Sequence, residues 1–181
     1  AQYFHLLRRQ GHVIGETGRK ALERRPMVVF TPKSLLRDPR AASPIEDFLC
    51  GGFQTVLVED AVKEPRRIVF CSGKVAHDLA DYRTEHKIED VVLARVEQLY
   101  PFPQDKVAAL IAQYPNAELV WCQEEPRNMG PWASMLQRFR DLHWKILFVG
   151  RASAASPATG SYKRHHVEQA ALVKAAFTEM R

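Results

Sequence analysis

Read from the amino terminus, apolar and polar positions first fall at helical spacing. Tyr3, Phe4, Leu6 and Leu7 set against Arg8 and Arg9 predict a short amphipathic helix over 2–10. Gly11, Gly15 and Gly18 interrupt it, and the polar, basic text up to Arg25 predicts a loop with one helical turn near 19–23. The run PMVVF at 26–30 is apolar, β-branched and bounded by Pro26 and Pro32, which predicts a buried strand. A helical turn at 33–37 and a helix opened by Ser43 and Pro44 and closed by Gly51 and Gly52 come next.

From there strands and helices alternate. Apolar runs at 55–59 (TVLVE) and 67–72 (RIVFCS) predict strands, with a charged turn containing Pro65 between them. The second runs into Gly73 and an amphipathic stretch at 75–86. Strands at 91–96, 118–123 and 145–149 then alternate with helices at 106–114, 131–142 and 161–180, the last preceded by a small-residue loop at 152–160. Near-continuous apolar strands need cover on both faces, so the pattern predicts an α/β fold, a three-layer sandwich with a mostly parallel sheet. Crossovers in such sheets are right-handed, and ligands sit outside the carboxyl ends of the strands.

Composition changes the picture in one place. The 181 residues carry 26 Lys and Arg against 21 Asp and Glu, a formal charge of +5. Residues 1–40 hold nine basic and three acidic side chains, so +6 belongs there and −1 to the remainder. The basic stretch has no nucleic-acid reading motif, and its aromatics are Tyr3, Phe4 and Phe30, so no nucleic-acid partner is expected. No apolar run nears the roughly 20 residues that cross a bilayer, so no membrane partner is expected. Cys50, Cys71 and Cys122 are odd in number and lack a Cys-x-x-Cys pair, which favours neither a disulfide framework nor zinc and fits a reducing compartment. The chain opens on Ala1 and reads at once as helix, as a piece of a longer protein would.

Candidate chemistry lies just after the strands. Ser72-Gly73-Lys74 joins strand to helix, where backbone N–H groups and Lys74 favour an anion, though without a dinucleotide or P-loop fingerprint. Thr31-Pro32-Lys33-Ser34 with Arg37 is a second candidate anion site. Arg95 and Glu97 alternate along a strand and so share a face, which fits an ion pair or an interface. Gln123, Glu124 and Glu125 end another strand; adjacent carboxylates in extended backbone point apart, which fits subunit contact better than acid–base catalysis. The seven histidines are scattered, no serine sits in Gly-x-Ser-x-Gly, and no catalytic, cofactor-binding or metal-ligating residue is expected.

Six blocks, in order along the chain, resemble one family: YFHLLRRQ at 3–10, VVFTPKSLLR at 28–37, CSGK at 71–74, RVEQLYPFP at 95–103, WCQEEP at 121–126 with Asn128 and Gly130, and AASPATG at 154–160 with His165. Together they are similar to the carboxyl-terminal region of the thiamine-dependent 2-oxoglutarate dehydrogenase. The resemblance implies a transketolase C-terminal-domain-like fold for 26–181, preceded at 1–25 by a basic linker and helix from an upstream domain. It implies a structural and interface role within an oxidoreductase of the tricarboxylic acid cycle. That enzyme decarboxylates 2-oxoglutarate with thiamine diphosphate and Mg²⁺ and succinylates the lipoyl group of dihydrolipoyl succinyltransferase. The implied partners are the preceding domains of the same polypeptide, a second copy in a homodimer, and that succinyltransferase. The location would be cytoplasmic in a bacterium or the mitochondrial matrix in a eukaryote.

No Gly-Asp-Gly metal and diphosphate motif occurs in the sequence, so no cofactor is expected in this chain, and the chain alone is expected to be inactive. The glycines at 11, 15 and 18 depart from a shorter, helix-like linker in the family. The contact faces expected from the resemblance are 31–37, 95–98 and 123–126. The alternative is a regulatory anion or acyl-CoA site built from Lys33, Arg37 and Lys74.

Overall fold

A computed structural model describes residues 1–11, 26–59 and 62–178. The chain divides into two compact units, Ala1–Gln54 and Thr55–Arg181. In the first, helix α1 (Gln2–Gly11) sits against the segment that carries the short helix α2 (Glu46–Leu49). Phe4 meets Phe48 at 5.5 Å between ring centroids, His5 Nε2 lies 2.6 Å from the Asp47 carbonyl, and Gln2 exchanges two hydrogen bonds with the backbone of Gln54.

His5 is the one buried residue among those described in this unit. The run at 26–30, predicted as a buried strand, pairs with nothing in the described structure, and its Phe30 is 93% exposed. Prolines on either side remove ladder donors, and β-branched composition alone does not supply a partner strand. The turn predicted at 33–37 is a 3₁₀ turn at Lys33–Leu35, and the helical turn predicted at 19–23 falls outside the described residues.

The second unit is the predicted α/β sandwich. Its strands are β1 (Val56–Glu59), β2 (Arg67–Cys71), β3 (Val91–Val96), β4 (Glu118–Pro126) and β5 (Ile146–Arg151). They are ordered β1-β3-β2-β4-β5, with β1 antiparallel at one edge and the other four parallel. Helices α3 (Val75–Glu85) and α6 (Tyr162–Phe177) cover one face, and α4 (Gln104–Gln113) and α5 (Trp132–Asp141) the other.

The period of two divides each strand between two cores. Val69, Cys71, Val91, Leu93, Val120 and Cys122 pack with Leu79, Leu172 and Phe177. Ile68, Phe70, Val92, Ala94, Leu119 and Trp121 pack with Val107, Leu110, Met135 and Phe139.

Two features depart from the sequence pattern. Strand β4 does not stop at Gln123; it continues to Pro126, with Cys122 paired to Val149 and Pro126 to Arg151. Four steps along β4 therefore match two along β5, an irregularity of register between Cys122 and Pro126. The second feature is Arg67, at the head of an otherwise apolar strand and 1% exposed. Its guanidinium reaches Glu118 and the carbonyls of Ala176 and Thr178 at the end of α6.

Candidate functional site

Strands β2 and β4 are neighbours whose connections diverge. After β2 the chain crosses through α3 to β3 on one side, and after β4 through α5 to β5 on the other. This is the topological switch point, where open α/β sheets form their crevice. Gly73, at φ +76°, makes the turn out of β2 and brings Lys74 to that place; the left-handed backbone, not a lack of space, favours a residue without Cβ.

Lys74 Nζ lies 2.7 Å from Asp78 Oδ2 and 3.6 Å from Glu124 Oε1. Gln169 of α6 closes the set, donating from Nε2 to both carboxylates at 2.8 Å. Burial alone would lower the Lys74 ammonium, but its hydrogen bond to Asp78 and the charges of Glu124 and Asp78 outweigh it and hold its pKa above the ordinary 10.5. One cation thus meets two carboxylates that also share an amide. The arrangement fastens α3, β4 and α6 to one another at the strand ends and leaves Lys74 little free charge for an anion.

The other residues singled out from the sequence take separate places. Arg95 Nε lies 2.6 Å from Glu97 Oε1, off the N–H axis, so this is an ionic contact between two part-buried side chains and not a directed hydrogen bond. Gln123 faces the opposite side of the sheet from Glu124 and is 2% exposed. Its Oε1 accepts from Trp121 Nε1 and from the backbone N–H of Trp132, and its Nε2 is shared among the carbonyls of Glu125, Pro126 and Met129. Gln123 is therefore an internal strut, out of reach of a partner or an anion.

Glu125 is part-buried beside Gly130, whose φ of +65° and 3.0 Å clearance to Glu125 and Gln123 exclude a side chain there. Lys33, Ser34 and Arg37 lie exposed in the first unit. The residues missed by sequence reasoning are Asp78 and Gln169. Asp78 was legible as the i+4 partner of Lys74 on a helix. Gln169, 91 positions from Asp78, carries no local signal.

Cys71 and Cys122 are register partners on β2 and β4. Burial pushes the Cys71 thiol from its ordinary 9.0 up to about 12, against a partial pull from Arg95, and burial with the Cys71 and Glu124 charges pushes Cys122 well up too. Thiols held protonated are poor nucleophiles. At pH 8, iodoacetamide is expected to label the exposed Cys50 and to leave both strand cysteines intact in the folded chain, read by peptide mass spectrometry. Equal labelling of all three would refute this burial. The sign for stability follows: the Cys71 contribution is whole below pH 9 and falls away as pH rises toward about 12, because the unfolded chain releases this proton first.

Fold and site together define a three-layer α/β domain whose switch point is occupied by Lys74 held between the Asp78 and Glu124 carboxylates. Among the described residues no group of three His, Cys, Asp or Glu side chains is placed to hold a metal ion, and no helix is long and apolar enough to cross a membrane. The family model described as 2-oxoglutarate dehydrogenase C-terminal matches residues 42–177, and the chain belongs to that family.

Its relatives include proteins named 2-oxoglutarate dehydrogenase E1 component. The one from Cupriavidus necator is 43% identical over 189 residues, covering 100% of this chain and 19% of the relative. Those from Geobacillus kaustophilus and Azotobacter vinelandii are 44% and 43% identical, covering 99% and 98% of this chain and 19% of each relative. The chain thus spans about a fifth of the length of the curated relatives it matches.

Proposed function

We propose that this chain is the structural and interface domain at the carboxyl end of a 2-oxoglutarate dehydrogenase E1 component, with 1–25 as a linker from an upstream domain and 26–181 as the transketolase-like domain. The full-length enzyme would decarboxylate 2-oxoglutarate and pass the succinyl group to the lipoyl arm of dihydrolipoyl succinyltransferase, as a homodimer in the bacterial cytoplasm. Thiamine diphosphate and Mg²⁺ would supply the decarboxylation chemistry there. The residues of this chain do not fit that group: the sequence has no Gly-Asp-Gly, and the described acidic side chains at the switch point are paired with Lys74 and Gln169. No step is assigned to them, and the chain by itself is proposed to be inactive.

The observation that supports an interface role is the first unit. Its described residues bury only His5, while Val28, Phe30, Leu36, Ile45 and Leu49 stand exposed. Apolar side chains without a core of their own need a covering surface. The upstream domains and the second subunit are the occupants this reading assigns. A basic amino-terminal stretch of net +6 would face acidic surface on them.

The test is Phe30→Asp and Leu49→Asp in the full-length enzyme. Both should leave the circular dichroism unchanged and lower the dimer fraction and turnover. Unaltered sedimentation and turnover in both variants would overturn the interface reading. The regulatory alternative on Lys33, Arg37 and Lys74 has less behind it, because Lys74 already carries two carboxylate partners.

A further inference from the structure

A cavity of about 300 Å³ opens beside the carboxyl end of β5, walled by Arg151, the loop at 152–161 and the first turns of α6. It uses none of the basic residues that stood out in the sequence. At its base lies Arg151, whose side chain is 9% exposed. One terminal nitrogen, Nη2, sits 2.8 Å from His165 Nδ1 and makes a long 3.5 Å contact to Gln169 Oε1. Its Nε has no aligned acceptor; the nearest carboxylate oxygen, Glu168 Oε2, is 3.4 Å away. A guanidinium withdrawn from water with an unmatched N–H is an unfinished arrangement. Among the described residues Arg95 Nε is in the same position, but it has the Glu97 carboxylate at 2.6 Å, whereas the carboxylate nearest Arg151 Nε is 3.4 Å away.

Helix α6 adds a second, independent observation. Its first turn holds no acidic residue and instead reads Tyr162-Lys163-Arg164-His165. Helix amino termini favour negative charge, so cations gathered there act against the local field unless an anion accompanies them. Ser161 caps the helix by accepting from the Arg164 N–H, and Ser153 brings a further hydroxyl to the wall. The resident anion is Glu168, held by Arg164 Nε at 2.6 Å and Thr159 Oγ1 at 2.7 Å, contacts that keep its carboxyl below the ordinary range. Two guanidinium groups thus share one carboxylate, with a net charge of +1 at the site.

We propose that this cavity binds the phosphoryl group of a small phosphorylated metabolite, with Arg151 and Arg164 as counter-charges and Glu168 as the carboxylate it displaces. A phosphoryl dianion supplies the acceptor Arg151 lacks, matches the planar forks of both arginines and takes donors from several directions, as hydroxyls and helix N–H groups provide here. The cavity is at the small end of ligand sites, enough for the phosphoryl group with the remainder of the molecule outside.

Calorimetric titration of inorganic phosphate into the full-length chain tests the proposal. The wild type should bind phosphate, and Arg164→Gln, a change at a mostly exposed side chain, should weaken that binding about tenfold. Glu168→Gln removes the competing charge and should tighten it severalfold. Phosphate binding of equal strength in all three, or none in the wild type, would overturn the site. Weaker binding by Glu168→Gln would overturn the displacement. Acetate binding as tightly as phosphate would overturn the choice of a phosphoryl group.

Discussion

Replacing Gln123 by leucine is expected to lower the stability of the 181-residue polypeptide by about 4 kcal/mol, as the loss of three buried hydrogen-bond partners at roughly 1–3 kcal/mol each predicts. Leucine matches the shape of glutamine but not its amide. Trp121 Nε1 and the Trp132 N–H, 2.9 and 3.0 Å from Oε1, would lose their acceptor, and the Met129 carbonyl, 2.7 Å from Nε2, its donor. The Trp132 N–H is one of the unpaired donors at the start of α5, so a strand side chain caps that helix. Urea denaturation followed by tryptophan fluorescence checks this. A loss below about 1 kcal/mol would show that the β4–α5 connection closes without the amide.

Arg67→Met is expected to cost about 3–5 kcal/mol, because it removes three hydrogen bonds made by a buried charged donor, at roughly 1.5–3 kcal/mol each, and leaves part-exposed Glu118 to water. The arginine Nε lies 2.8 Å from Glu118 Oε2, and its Nη1 donates to Ala176 O at 2.7 Å and Thr178 O at 2.8 Å. It therefore holds the last carbonyls of α6, where a cation also complements the helix end. Arg66, just before β2, adds a bond to the Phe177 carbonyl, so two successive arginines fasten one helix terminus. Beyond the stability loss, amide hydrogen exchange over 172–178 should accelerate more than exchange in α4. Arg67→Lys should recover only part of the effect, since a single ammonium cannot serve a carboxylate and two carbonyls from one planar fork. Uniform exchange across α4 and α6 would refute the terminal clamp.

The core strands β2 and β3 were legible because both faces are apolar and the runs end at clear turns. The i,i+4 pairing of Lys74 with Asp78 was equally open to reading. The run at 26–30 misled, because strand composition reports fit to a pleated surface and not the presence of a neighbour. Gln123 was read as a contact residue at a strand end; the period of two sets it on the face of Trp121, but nothing local foretells that the start of α5 and the Met129 carbonyl close over it. Gln169 and Arg151 were passed over for the same reason: their partners come from other elements.

The +6 of residues 1–40, the alternation of strand and helix, and the six blocks shared with the family were fixed by the amino-acid order alone, because charge and periodicity are local quantities. Where those pieces meet was decided only by the tertiary structure. The strand order places Lys74 beside Glu124, brings α6 across to Asp78, and buries Arg151 and Arg67 against carbonyls and side chains more than a dozen residues distant. Whether a charge is a free ligand for another molecule or a strut of the fold depends on those distant neighbours, and sequence spacing does not carry that information.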